Sequence, residues 1–348
     1  MSKRGVAFLS LSYRMPHRIV PNEELENRLS LGRGVIERLT GIRNRRYISN
    51  GESLQSLAVE ACQEALDRSH IDPSNVDGLI FYSDSPPLMP GESSPRKFYY
   101  DISAHIQHLL REKGISLACE CTAIAGSCVS FLLSLQIAAG LIRSQMKKNI
   151  LIVGAAWNSL FLDQADKNVA MIFGDGAAAS VVGASRDEGL IGIHCRTDGR
   201  GYDAGGFPDY QSLFIDRKRV AEFAPLGFQA GVTGLLADTG LKIDDVAVFI
   251  PHQAGIKIIE RGMALAGIPS EKVYLCLQDV GNTGAPAVQL ALAKAVEEGR
   301  IRDGDLVMLI AFGTGWHYGA AVFRHRCRPK TLSPVAGGRR ALASGRDP

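Results

Sequence analysis

Ser69-His70-Ile71-Asp72-Pro73-Ser74-Asn75-Val76-Asp77-Gly78-Leu79-Ile80-Phe81 and Gly240-Leu241-Lys242-Ile243-Asp244-Asp245-Val246-Ala247-Val248-Phe249 carry the same succession: the end of a helix, a breaker, then an apolar strand. Before the first stretch, Leu54, Leu57, Ala58, Ala61, Cys62, Ala65 and Leu66 recur at helical spacing and predict a helix over 54–69. Before the second, residues 228–239 read as a helix. Each strand, 79–82 and 246–250, is apolar throughout, the pattern of a strand covered on both faces. A second pair follows the same rule. An apolar helix over 129–143 leads to Asn149-Ile150-Leu151-Ile152-Val153-Gly154, and a helix over 287–298 leads through the turn 300–305 to a strand over 306–310. The copies lie on the order of 160 residues apart, far beyond the spacing of solenoid repeats. The chain therefore reads as a duplicated αβ unit, an α/β protein whose sheets are clothed by helices on both faces. Met171-Ile172-Phe173 and residues 178–182 flank a Gly174-Asp175-Gly176 turn.

Two regions break this rhythm. Residues 83–100 are rich in Pro and Ser, and residues 197–209 in Gly and Asp, so both read as loops, and loops of that length in a compact domain are often functional.

The chain has 348 residues, 46% hydrophobic and 22% charged, which suits one large domain or two intimate ones. Its formal charge of +3 is carried by the end. Residues 328–348 hold five Lys or Arg and one Asp, leaving the remainder near −1, and this basic tail is expected to be disordered. A near-neutral body argues against nucleic acid as a partner. The seven cysteines are odd in number and irregular in spacing, with no paired C-x-x-C sets, so neither a disulfide framework nor a zinc or other metal site is expected. Free thiols and the lack of a long apolar stretch at the N-terminus suggest the cytoplasm. The most apolar run, 150–156, is too short to span a bilayer.

Four places carry chemistry. Cys128 follows a short apolar run at 117–122 and the small residues 123–127, directly before a helix. The positive end of a helix dipole favours the thiolate, the nucleophilic form. Cys119 and Cys121 are rival thiols that read as lying within the strand. His252, in Pro251-His252-Gln253-Ala254-Gly255, leaves the C-terminal end of a strand, where α/β sheets place their ligands, and suits a hydrogen-bond donor or proton shuttle. Asn282, in Gly281-Asn282-Thr283-Gly284-Ala285-Pro286, is an uncharged donor flanked by glycines. Phe312-Gly313-Thr314-Gly315 follows the last buried strand and can offer backbone N–H groups to an oxyanion, whereas no Lys-Ser/Thr follows it to make a nucleotide loop.

Together these motifs resemble the ketosynthase III branch of the thiolase superfamily, from about residue 6 to residue 327. Thr40-Gly41-Ile42-Arg43-Asn44-Arg45-Arg46 is similar to its early Thr-Gly-Ile-Arg signature. Cys128-Val129-Ser130-Phe131 stands in place of its Cys-x-Gly-Phe turn, and Phe173-Gly174-Asp175-Gly176-Ala177 matches its Phe-Gly-Asp-Gly-Ala turn. Pro251-His252-Gln253-Ala254 and Gly281-Asn282-Thr283 match its His and Asn motifs. The resemblance implies a five-layered αβαβα fold of two pseudo-equivalent halves, residues 1–185 with the nucleophile and 186–327 with His252 and Asn282. It implies that Cys128 takes an acyl group from a thioester. His252 and Asn282 would then hold the carbonyl oxygen of a malonyl thioester on acyl carrier protein, while the backbone N–H groups of Cys128 and Thr314 form an oxyanion hole. It implies Lys257 as a carrier-protein contact, no cofactor beyond the acyl thioesters, and a homodimer or a heterodimer with a related ketosynthase.

The chain departs from the pattern in places. Val35 and Leu39 stand where typical members carry a Trp and an Arg that grip coenzyme A, which points away from acetyl-CoA as primer. Gly255, Ser130 and Thr314 replace an Asn, a Gly and a Gly. Residues 83–111 depart most, so an unusual primer in specialised lipid or secondary-metabolite biosynthesis is expected. Decarboxylative condensation leads. The alternatives are non-decarboxylative joining of two acyl-CoAs, acyl transfer to an O or N nucleophile, and a non-catalytic partner subunit. The non-decarboxylative route needs a carboxylate near Cys128, for which Glu120 and Glu92 are the nearby choices in sequence.

Overall fold

Strands apolar along their whole length can only sit inside a sheet with both faces covered, and those strands organise this molecule. The computed structural model describes residues 5–86, 102–187, 189–207 and 212–327. The tail 328–348 and Glu92 lie outside the described residues. The first sheet contains β1 (Gly5–Arg14), β2 (Gly78–Tyr82), β3 (Glu120–Ile124), β4 (Asn149–Ala156) and β5 (Gly176–Ser185), in the order β1-β5-β4-β2-β3. β2, β4 and β5 are buried at every position. The second sheet contains β6 (Leu190–Thr197), β7 (Val248–Pro251), β8 (Leu306–Gly313) and β9 (His317–Arg324), in the order β7-β8-β9-β6.

The two orders superimpose. β2 pairs parallel with β4 as β7 does with β8, and β5 and β9 run antiparallel to both neighbours. The first sheet has one strand more: β3 pairs parallel with β2, where the second half makes only the isolated bridge Phe249–Val273. β3 is an edge strand with mostly exposed residues.

Six helices complete the layers: α1 (Leu54–Ser69), α2 (Ile102–Glu112), α3 (Ser130–Arg143), α4 (Arg217–Thr239), α5 (Ile256–Ala266) and α6 (Ala287–Glu297). α1 and α2 cover the outer face of the first sheet, and α4 and α5 that of the second. α3 and α6 lie between the sheets, where Phe131, Leu135, Leu290 and Leu292 are fully buried with residues from both. The result is the five-layered αβαβα arrangement.

Local chemistry sets the ends. Ser53 and Ser56 exchange side-chain to backbone hydrogen bonds in a capping box that starts α1. Asp216 accepts the Arg219 N–H to start α4, and Gly240 in the left-handed region ends it. The periodicity that placed a helix at 228–239 missed eleven residues, because Pro225 reads as a breaker yet lies inside α4. α4 is 23 residues long, with the length and composition of a membrane span. It lies against β9, so closely that a Cβ on Gly231 would stand 2.9 Å from the backbone of Gly319.

Candidate active site

Each sequence motif ends a strand or opens a helix, and the αβαβα frame points those ends at one place. Cys128 sits in a single 3-10 turn, Ser127–Val129, between β3 and α3. The turn is tight: Ser127 has φ 51°, a conformation L residues rarely adopt, and a Cβ on Gly126 would come within 2.4 Å of Leu133. From the second half, the end of β8 closes on it. A Cβ on Gly313 would stand 3.0 Å from the Cys128 nitrogen, and the Ser127 hydroxyl lies 2.9 Å from that of Thr314.

His252 leaves β7 with its backbone N–H donating to the Ile310 carbonyl at 2.7 Å. Its ring meets Phe312 edge-on, with centroids 5.5 Å apart. Gln253 braces this turn from behind. Its Nε2 donates to the Pro251 carbonyl, and its Oε1 accepts the backbone N–H groups of Cys276 and Leu277. Burial lowers His252 to about 4, so the ring is neutral around pH 7, and Nδ1 has no partner among the described residues.

Asn282 is threaded into the other half. Its N–H donates to the Ile172 carbonyl at 3.0 Å, and its carbonyl accepts from Gly174 at 2.8 Å. Its Oδ1 takes the Gly284 N–H at 2.9 Å, which leaves the Nδ2 hydrogens for a ligand. Two signature segments support this loop. Arg45, fully buried, donates to the Val20 and Met171 carbonyls and to Asn22 Oδ1, and its Cβ packs where Gly281 (φ 69°) has none. Asp175 accepts from the N–H of Ile48 and from the N–H and hydroxyl of Ser159, tying the Phe-Gly-Asp-Gly-Ala turn to the residue that follows the short strand Asn44–Tyr47.

Cys128, His252, Asn282 and Thr314 line one cavity of about 260 Å³. Its other walls are largely apolar, with Leu39, Met171, Ile215, Phe223, Ile258 and Trp316. Arg217 and Lys257, both exposed, lie at its rim, whereas His252 and Asn282 are buried. Leu39 is 38% exposed, an apolar group on the lining.

Two expectations change. A helix N-terminus was expected to favour the Cys128 thiolate. Cys128 does open partly on the cavity, but protein encloses the sulfur elsewhere. That burial pushes the thiol well up, with the charge of Asp84 adding to it, while the Ser127 hydroxyl and Cys128's own N–H pull the other way. One turn of dipole does not outweigh desolvation here. The second change concerns the nearby carboxylate. Glu120 lies on the exposed side of β3, ion-paired with Lys147 at 2.8 Å, and does not line the cavity. The carboxylate whose charge acts on Cys128 is Asp84, two residues past the end of β2, which likewise does not line the cavity and which the sequence reading left within a loop. Its signal was positional: like His252, it follows directly on a buried parallel strand. Cys119 lies just before β3 and Cys121 within it, and neither lines the cavity.

The comparisons with known proteins agree with this geometry. Residues 123–199 match the family profile described as 3-Oxoacyl-[acyl-carrier-protein (ACP)] synthase III, and residues 236–325 match its C-terminal counterpart. The beta-ketoacyl-[acyl-carrier-protein] synthase III of Syntrophomonas wolfei is 33% identical over 336 residues, covering 92% of this chain and 97% of the relative. The crystal structure of 3-oxoacyl-[acyl-carrier-protein] synthase III from Aquifex aeolicus VF5 has a TM-score of 0.83 at 28% identity, covering 92% of this chain and 100% of that one. The priming beta-ketosynthase from the R1128 polyketide biosynthetic pathway has a TM-score of 0.82 at 28% identity, covering 94% of this chain and 98% of that one. By sequence over nearly its full length, and by a fold that carries all the expected motifs to one cavity, the chain belongs to the 3-oxoacyl-[acyl-carrier-protein] synthase III family of the thiolase superfamily.

Proposed function

We propose that this chain is an acyltransferase that loads an acyl group onto Cys128 and condenses it with a malonyl thioester by decarboxylative Claisen chemistry. The observation that carries the reading is the convergence of one thiol, one neutral imidazole and one carboxamide, from three distant segments, on a single apolar cavity. In the first half-reaction the Cys128 sulfur attacks the thioester carbonyl of the donor and the donor thiol leaves. In the second, His252 and Asn282 donate hydrogen bonds to the thioester carbonyl of the malonyl group. As carbon dioxide departs, its electron pair spreads onto that oxygen, and two neutral donors stabilise the developing charge in a largely apolar site. The carbanion then attacks the acyl carbonyl on Cys128. The oxyanion formed there is taken by the N–H groups of Cys128 and Thr314, a reading supported by the packing of Gly313, the residue before Thr314, on Cys128. Collapse expels the Cys128 sulfur and releases a β-ketoacyl thioester. No cofactor enters this scheme.

The same reading assigns acyl carrier protein and acyl or malonyl thioesters as partners, with Lys257 at the cavity rim as a contact for the carrier. Val35 and Leu39 favour a primer other than acetyl-CoA, consistent with specialised lipid or secondary-metabolite biosynthesis. The exposed edge strand β3, next to Cys128 in the chain, suits a dimer with a second copy or a related ketosynthase. Seven free cysteines suit a cytoplasmic setting. Asp84, a carboxylate whose charge acts on Cys128, is the observation that favours a second reading, non-decarboxylative joining of two acyl thioesters.

The experiment is intact-mass measurement after incubation with a panel of acyl-CoAs and acyl carrier proteins. A mass increase that is absent in Cys128→Ala, followed by release of a β-ketoacyl product and carbon dioxide on adding malonyl carrier protein, is the expected result. Product formed without carbon dioxide release would replace the first reading by the second.

A further inference from the structure

The loop that carries Asn282 is tied to the first half of the molecule on both sides. Before Gly284 the ties are the bonds of the Asn282 N–H to the Ile172 carbonyl and of the Gly174 N–H to the Asn282 carbonyl, at 3.0 and 2.8 Å. After Gly284 the tie is Asp84, whose Oδ2 accepts the Ala285 N–H at 2.7 Å. The next residue, Pro286, has no N–H that could take its place. Between the two ties the Gly284 N–H donates to Asn282 Oδ1 at 2.9 Å. Gly284 is pressed onto the carboxylate: it has φ 70°, and a Cβ there would stand 2.1 Å from Oδ2 and 2.7 Å from Oδ1. The carboxylate is anchored in turn. The Ser85 N–H donates to the Ser83 hydroxyl at 3.0 Å, and Ser85 Oγ accepts the N–H of Trp157, just past β4, at 2.8 Å. Asp84 does not line the cavity, so any effect of its bond to Ala285 on the chemistry has to pass through the loop.

We infer that Asp84 is the positioning residue of Asn282: by holding the Ala285 N–H it aims the Gly284 N–H at Asn282 Oδ1 and so turns the Nδ2 hydrogens toward the cavity. The inference rests on the reading that Asn282 donates to the malonyl carbonyl, and it deepens that reading. A carboxamide has one accepting end and one donating end, and a half-turn of its plane exchanges them. With the Gly284 N–H in place, the exchanged amide would set two donors against each other. If the loop is released at Ala285, that penalty falls. The exchanged amide then points its oxygen at the oxygen on which enolate charge develops, and one of the two stabilising donors is lost. Acyl loading of Cys128 makes no use of Asn282 and is left alone.

The test separates the two steps in the full chain. Loading is read by intact mass with an acyl donor, and condensation by β-ketoacyl release when malonyl carrier protein is added to pre-loaded enzyme. Asp84→Ala is expected to slow condensation on the order of 10–10²-fold, the size for a misplaced group, with loading little changed. In an Asn282→Ala background, Asp84→Ala is expected to cost no further condensation rate, because nothing remains to be positioned. Losses that multiply, or loading and condensation that fall together, overturn the inference. Asp84→Asn is the second variant, independent of whether Asp84→Ala folds. It keeps an oxygen for the Ala285 N–H and is expected to condense near the wild-type rate. An Asp84→Asn enzyme that loads normally yet condenses as slowly as Asn282→Ala would show that the charge matters rather than the bond, and also overturns it. An Asn282→Ala enzyme that condenses at the wild-type rate removes the role of Asn282 and the inference with it. Failure of wild-type Cys128 to load with any donor would instead sink the acyltransferase reading.

Discussion

The ends of two corresponding strands, β2 in the first half and β7 in the second, carry different buried ionisable groups. β2 is followed by Asp84 and β7 by His252. Both groups are buried, and burial penalises the charged form of each, so it raises the acid and lowers the base. The shared cause leaves different outcomes. His252, near 4, stays neutral throughout the physiological range. Asp84, near 7, sits where a proton can be gained or lost. The same desolvation thus leaves one strand end a static neutral group and the other a carboxyl close to its titration point.

The largest expected effect tests the static side. His252→Ala and Asn282→Ala should each slow condensation by about 10²–10³-fold while slowing acyl loading much less, the size seen when one donor to a developing oxyanion is removed. Intact-mass loading and β-ketoacyl release, measured separately, check the split. Equal loss in both steps would mean that these donors serve the first carbonyl rather than the second.

The next effect concerns stability, and here the two strand ends should pull in opposite directions. Asp84 has a folded-state pKa of about 7 against an ordinary 3.8, so its contribution is fully present below about 3.8 and is lost as pH rises through about 7. Asp84→Asn should therefore be more stable than wild type at pH 8, by about 1–3 kcal/mol, and no more stable at pH 3.5. His252 has a folded-state pKa of about 4 against an ordinary 6.5, so the neutral ring's contribution is present above about 6.5 and is lost as pH falls through about 4. His252→Gln should flatten the loss of stability between those values. Thermal melts at pH 3.5–8 read both slopes, and slopes of the same sign would break the comparison.

The smallest effect lies at the rim. Lys257→Ala should raise the KM for a carrier-protein substrate by about 2–10-fold, and high salt should narrow the difference, as for a solvent-exposed charge pair. A loss of kcat at saturating carrier would place Lys257 in the chemistry instead.

The alternation of helix and buried strand was readable wherever both faces of a strand are covered, as in β2, β4 and β8, because an apolar run then has one meaning. β1, β6 and β9 escaped the same reading. β9 is His317-Tyr318-Gly319-Ala320-Ala321-Val322-Phe323-Arg324, whose small residues are there to admit neighbours. A Cβ on Gly319 would stand 2.5 Å from the His194 carbonyl on β6. Such positions are selected by close approach rather than by hydrophobicity, and their partners lie far away in sequence. Cys128, His252 and Asn282 were legible because each sits in a motif at a strand or helix end. Asp84 had no motif, only a place.

The sequence by itself determined the class of fold, the duplication and the motifs whose Cys128, His252 and Asn282 share one cavity, since periodicity and local turn chemistry are properties of neighbouring residues. Only the tertiary structure decided how those groups ionise and which carboxylate acts on the sulfur. Desolvation depends on what encloses an atom, and the walls around Cys128, His252 and Asp84 come from segments that meet only when the two halves close on one another.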